Sequence, residues 1–193
     1  DLNPQRLAEK DKALAGLGRL QLPVSGRIDI AITDQGQFDT VDFDVRGKVG
    51  ALDLAPVFAA PSRVGAMAAQ GSLDIANRAI LFNELVLERG TARAELVGLI
   101  LAEEDGPRVT MNGRIEGFTP TQIDEYWPTA FAPPVHAWFA DSIKEGVVTE
   151  GTVRLNVGPD QLRGGGLPAE AVEARLTVSG VTARYFGDMP PIT

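Results

Sequence analysis

Apolar residues recur at every second position over much of this chain. Between Ser25 and about Gly117, Ile28, Ile30 and Ile32 fall on one side of an extended segment, with Arg27, Asp29 and Thr33 on the other. Val41, Phe43 and Val45 alternate with Thr40, Asp42, Asp44 and Arg46. Leu73 and Ile75, then Ile80 and Phe82, then Leu85 and Leu87 continue the pattern, followed by Leu99 and Leu101 and by Val109, Met111 and Ile115. Period-two runs with one apolar side predict strands of antiparallel sheets, because only such sheets keep one face wet.

The connectors agree. The stretches "TDQGQ" (33–37), "IANRA" (75–79), "LERGT" (87–91) and "EEDGP" (103–107) are too short to hold crossover helices, so successive strands are expected to join as hairpins in a meander. A glycine leads several strands: "GRIDI" at 26–30, "GSLDI" at 71–75, "GRIEG" at 113–117 and "GTVRLNV" at 151–157. Glycine there marks a start or bend that a side chain would obstruct. The small-residue segment 55–71 reads equally as a short helix or as an excursion off the sheet.

Helical spacing appears in three places. Leu7, Leu14 and Leu17 share a face within 4–17, closed by Gly16, Gly18 and Pro23. In "FTPTQIDEYWP", Thr119 is an N-cap, Pro120 takes the first helical position, Gln122 completes a capping box and Pro128 stops the helix. In "PPVHAWFADSIKEG" the helix opens at Pro133-Pro134, carries Val135, Trp138, Phe139 and Ile143, and is expected to end at Gly146. The expected organisation is therefore a mainly β chain: an N-terminal helix or linker over 1–19, an antiparallel sheet over 20–117, a helical insertion over 118–146 and a continuing sheet over 147–193.

Composition narrows the function. The 193 residues are 44% hydrophobic, enough to build a core. The formal charge of −8 lacks the basic excess of a nucleic-acid surface, and it gives no attraction to anionic headgroups. Without cysteine there is no disulfide, thiolate nucleophile or Cys-ligated metal, which is compatible with an oxidising compartment. The longest apolar run, "LVGLILA" at 96–102, falls far short of the ~20 residues of a spanning helix. The start at Asp1 and the ending "PPIT" suggest an excerpt of a longer polypeptide, and no signal peptide is visible.

Catalytic chemistry is hard to assemble from these residues. His136 is the single histidine, so neither a triad nor a zinc site of the usual composition can be built around it. Asp39, Asp42 and Asp44 read as a solvated strand face, and the glycine spacing of a calcium loop is missing. Gly164-Gly165-Gly166 lacks the lysine and hydroxyl residue of a phosphate loop and reads as a link. Tyr126, Trp127 and Trp138 fit either a carbohydrate or lipid contact or a helix pair plugging one end of the sheet. No catalytic residue, metal or cofactor is expected.

The order of motifs in residues 118–193 resembles the AsmA-like proteins of the bacterial envelope, in their YhdP-like branch. Tyr126-Trp127-Pro128 precedes Ala137-Trp138, then Gly146 and Gly151, then Gly180-Val181, Tyr185 and Pro190-Pro191. An arginine that the family carries just before the tryptophan is absent, the segment here being His136-Ala137-Trp138. Over residues 20–117 the resemblance rests on the rhythm of strands and glycines, including "LPVSGRIDI". It implies a long, curved, groove-like sheet, facing the periplasm and belonging to a parent protein anchored in the inner membrane, with envelope proteins as further partners. Its groove would conduct phospholipid, or another ligand with acyl chains, toward the outer membrane.

On that reading the lining candidates are Ile28, Ile30, Ile32, Val41, Phe43, Val45, Leu73, Ile75, Leu85 and Leu87. Tyr126, Trp127, Pro128, Trp138, Gly146, Gly151, Tyr185 and Pro190 form the structural motif. The alternatives are a scaffolding β-module whose apolar faces are buried against each other, and an enzyme or carbohydrate binder using Asp124, Tyr126 and Trp127.

Overall fold

The structure is a computed structural model that describes residues 19–53, 58, 60–128, 131–163 and 166–183. The helix expected over 4–17, the glycines Gly164 and Gly165, and Tyr185, Pro190 and Pro191 lie outside the described residues.

The chain is mainly β. Its principal sheet is antiparallel, has eight strands and does not close into a barrel. In chain order the strands are β1 (Leu20–Gln21), β2 (Val24–Ile32), β3 (Phe38–Gly47), β4 (Gly50–Leu52), β5 (Ser62–Val64), β6 (Ala66–Asp74), β7 (Ala79–Arg89), β8 (Ala92–Glu103), β9 (Gly106–Glu116), β10 (Ile143–Val157) and β11 (Val172–Ala183). The large sheet runs β11-β10-β9-β8-β7-β6-β3-β2, and β1, β4 and β5 form a small second sheet. The helices are α1 (Pro120–Glu125), α2 (Pro133–Ser142) and α3 (Pro159–Leu162), with a 3-10 turn at Ala169–Ala171.

Register turns the alternation of single strands into one continuous surface. Directly opposed residues share a face. One row crosses all eight strands as Ile28, Phe43, Gly71, Phe82, Gly98, Met111, Leu155 and Val172. Parallel rows run from Gly26 to Ala174 and from Val24 to Leu176, again with only apolar residues and glycine. The reverse face carries Asp42, Asp44, Glu84, Glu95, Arg114, Thr152 and their neighbours.

Bulges keep the surface continuous, as two of them show. One extra residue in β7 between Phe82 and Leu85 brings even-numbered Ile80 and Phe82 onto the same face as odd-numbered Leu85 and Leu87. A second, in β10 between Val148 and Glu150, does the same for Val148 and Gly151. Without these insertions half of each strand would turn its apolar set toward water.

Several expectations need correction. Leu99 and Leu101 pair with Thr110 and Arg108 on the polar face, and Ala94, Leu96, Gly98 and Ile100 occupy the apolar one. Helix α2 ends at Ser142, so Ile143 begins β10 rather than closing the helix. Gly146 is no helix terminator. It lies inside β10 at φ +131, within the register shift between Glu145 and Val147, where a residue with Cβ is strained. Segment 55–71 contains no helix among its described residues, and β5 and β6 begin within it.

The best-buried cluster lies at one end of the large sheet. Leu22, Leu52, Val64 and Met67 pack together beneath the small sheet, with Leu20, Val24, Leu85 and Leu87 against them. Helices α1 and α2 sit at this end also, where Gly117 and Phe118 exchange backbone hydrogen bonds with Val148 (2.7 and 2.8 Å). At the opposite end, α3 packs on β9.

Candidate functional site

The apolar face is the candidate site, and its exposure varies along it. Ile28, Ile30 and Ile32 at the β2 edge are 55%, 54% and 60% exposed, and Phe38, opposite Ile32, is 62% exposed. Leu176 and Val178 are exposed at the other edge. Val41, Phe43, Val45 and Leu73 are half-buried by one another. Ile75 is exposed just past the end of β6, where its N–H donates to the Asp39 carbonyl (3.0 Å). Leu85 and Leu87 differ from the rest, since the small sheet packs on them. The ten lining candidates therefore split into an open to half-buried stretch on β2, β3 and β6 and a stretch on β7 that is covered in part by the cluster beside the small sheet.

Glycines shape this face by close approach. A Cβ on Gly71 would lie 1.9 Å from the Leu81 carbonyl oxygen, one on Gly98 2.1 Å from that of Thr110, and one on Gly113 2.0 Å from that of Glu95. Real side chains never come so near backbone, so the neighbouring strands reach positions that only glycine permits. Such sites are where sheets bend.

The helix pair is held by specific contacts rather than by a broad apolar stripe. Thr119 and Gln122 form the capping box expected of them: the Thr119 N–H donates to Gln122 Oε1 (3.0 Å) and the Gln122 N–H donates to Thr119 Oγ1 (3.4 Å). Gln122 Nε2 then donates to the Arg89 carbonyl (3.0 Å), fastening α1 to the end of β7. Arg89 also grips Glu125 with both terminal guanidinium nitrogens, and this bonding raises its pKa above the ordinary arginine value despite some desolvation.

The aromatic residues of the motif are occupied by protein. The Trp127 ring stacks on His136 (centroids 5.0 Å apart, planes 14° apart) and meets Phe131 and Phe139, and its Nε1 donates to the Phe131 carbonyl (2.7 Å). His136 Nε2 lies 2.6 Å from Asp124 Oδ1, joining α2 to α1. The Tyr126 hydroxyl donates to the Arg63 carbonyl and ties α1 to β5. Pro128 lies three residues past the last residue of α1, and Trp138 projects from α2, 48% exposed. Asp124, Tyr126 and Trp127 thus serve as joints between elements.

Among the described residues no group of three His, Cys, Asp or Glu side chains could hold a metal ion, and no helix is long and apolar enough to cross a membrane. Asp42 and Asp44 lie side by side on the polar face. What the sequence did not reveal is that this polar face carries a depression of about 360 Å³ over β8–β11, lined by Asn112, Arg114, Thr152, Arg154, Glu173 and Arg175. The residues alternate as any solvated strand does, and only register brings them together.

No family model matches the chain, nor does any curated protein or any solved structure.

Proposed function

We propose that the chain is a lipid-carrying segment of a bacterial envelope protein, accepting the acyl chains of phospholipid on the apolar face of its eight-stranded sheet. The observation that supports this most is the unbroken run of apolar residues and glycine across eight strands, with Ile28, Ile30, Ile32 and Phe38 left more than half exposed at its β2 edge. Contiguous apolar surface of this kind is rare on a free-standing domain and marks a place that something greasy covers. Each methylene buried there contributes about 0.8 kcal/mol, so an acyl chain is held without any specific polar contact.

A conduit also suits the lack of chemistry. Movement along a face needs many weak, similar positions, whereas a selective site would trap its ligand. On this reading the protein is not an enzyme and takes no cofactor. On the motif resemblance, the reading takes the chain as AsmA-like, a periplasmic part of a parent anchored in the inner membrane, with other envelope proteins as neighbours. The formal charge of −8 argues against a nucleic-acid partner.

The scaffolding alternative has one observation in its favour: Leu85 and Leu87, both half-buried, pack against the cluster that the small sheet helps to form, so part of the apolar face already has a partial protein cover. Photo-crosslinkers at positions 28, 30 and 43, compared in cells with ones at 85 and 87, separate the two readings. Phospholipid adducts at the first three but not the last two are expected. Adducts with protein alone at every position would establish the scaffold.

A further inference from the structure

The polar face has its own candidate site, independent of the acyl-chain reading. On three neighbouring strands Arg114 (β9), Thr152 (β10) and Arg175 (β11) stand directly opposite one another. The next row carries Asn112, Arg154 and Glu173. Both rows line the depression of about 360 Å³. Three arginines against one glutamate leave that depression with a net charge of two positive, in a chain whose total is −8.

The arginines are not equivalent. Arg154 is engaged: its Nε donates to Asn112 Oδ1 (3.1 Å) and its Nη1 lies 3.7 Å from Glu173 Oε2. Arg114 and Arg175 have no carboxylate partner among the described residues. Glu95, the cross-strand neighbour of Arg114, is taken by Arg93 (2.6 Å). Elsewhere most arginines do have one, as Arg27 with Asp29, Arg89 with Glu125, Arg93 with Glu88 and Glu95, and Arg108 with Glu103 show.

Spacing makes the unpaired couple useful. Adjacent strands lie about 4.8 Å apart, so Arg114 and Arg175, two strands apart, start roughly 10 Å from each other with the Thr152 hydroxyl between them. Two guanidinium forks reaching inward from that distance enclose a tetrahedral anion, which offers oxygens to both sides and to the hydroxyl below. A carboxylate has only two oxygens to share between both forks and the hydroxyl, whereas a phosphate monoester offers three. We infer that Arg114, Thr152 and Arg175 form a binding site for a phosphate ester group on the polar face, with room in the depression for the substituent that the phosphate carries.

The test is a titration of the arginine side-chain NMR signals at low ionic strength, using inorganic phosphate and glycerol 3-phosphate as soluble probes. Vesicles of phosphatidylglycerol, against phosphatidylcholine as control, probe a lipid headgroup. The variants are Arg114→Gln, Arg175→Gln and Arg114→Lys. Arg46→Gln serves as reference, because Arg46 lies on the same face with only Ser25 and Ala68 opposite.

Saturable shifts at Arg114 and Arg175, weakened about tenfold by either glutamine variant and less than twofold by Arg46→Gln, are expected for two cooperating charged contacts. Arg114→Lys should recover part of the loss. Competition by phosphatidylglycerol vesicles assigns the phosphate to a headgroup, and its absence assigns a soluble ester. Shifts that do not saturate with any probe, or that persist in both glutamine variants, overturn the site while leaving the acyl-chain reading intact.

Discussion

Phe43 and Phe82 meet edge to face across the strand that separates them, ring centroids 5.8 Å apart and planes inclined by 68°. They can do so because the residue between them is Gly71, opposed to Phe43 on one side and Phe82 on the other. The pair bridges β3 and β7 over the bare backbone of β6. It binds the open stretch of the apolar face to the covered one.

Gly71→Ala should therefore be costly although it adds a single methyl. Its Cβ would press on the Leu81 carbonyl and on the Phe43 ring, whose Cζ would be 2.8 Å away. A loss of about 1–3 kcal/mol in urea unfolding is expected, the usual range for overpacking. A change below about 0.5 kcal/mol would show that the strands can part without strain.

Ile28→Ser with Ile30→Ser should behave in the opposite way. Both side chains are more than half exposed, so their removal costs little stability, less than about 1 kcal/mol. Lipid co-purifying with the protein, measured by native mass spectrometry, should fall several-fold. Undiminished lipid in this variant would count against acyl chains lying on β2.

Thr119→Ala removes one half of the capping box at α1. A loss of about 1 kcal/mol is expected from the cap. Gln122→Ala should cost more, because Gln122 also holds the Arg89 carbonyl at the end of β7. Equal effects of the two variants would mean that the tie to β7 is inert.

Acid should weaken the β6–β7 turn through Asp74. The Asn77 backbone N–H (2.9 Å) and then its side-chain amide (2.7 Å) donate to this carboxylate and hold its pKa below the ordinary value of 3.8. A folded-state pKa lower than the unfolded one means that the native state binds fewer protons. The contribution is complete above the unfolded value and disappears as pH falls through the lower folded value. Wild type should thus exceed Asp74→Asn in stability at pH 7, and the gap should close below about pH 3.8. A gap independent of pH would refute the carboxylate's role.

Much of this architecture is legible along the chain because strand alternation and helix capping are local. Ile28, Ile30, Val41, Phe43 and Val45 must share a side once their strands pair, and Thr119 with Gln122 needs only neighbours to form its cap. Leu99 and Leu101 misled for the same reason. They alternate as well as Ala94, Leu96 and Ile100 do, and nothing local says which set turns inward when β8 is apolar on both sides.

What the sequence by itself determined is the class, a meander of antiparallel strands with a two-helix insertion and one greasy side per strand. The tertiary structure decided how those sides add up. Register shifts in β7 and β10, the small sheet over Leu85 and Leu87, and the opposition of Arg114 to Arg175 all arise between residues far apart in the chain. Pairing and packing set them, and an alternating pattern carries no information about its partner.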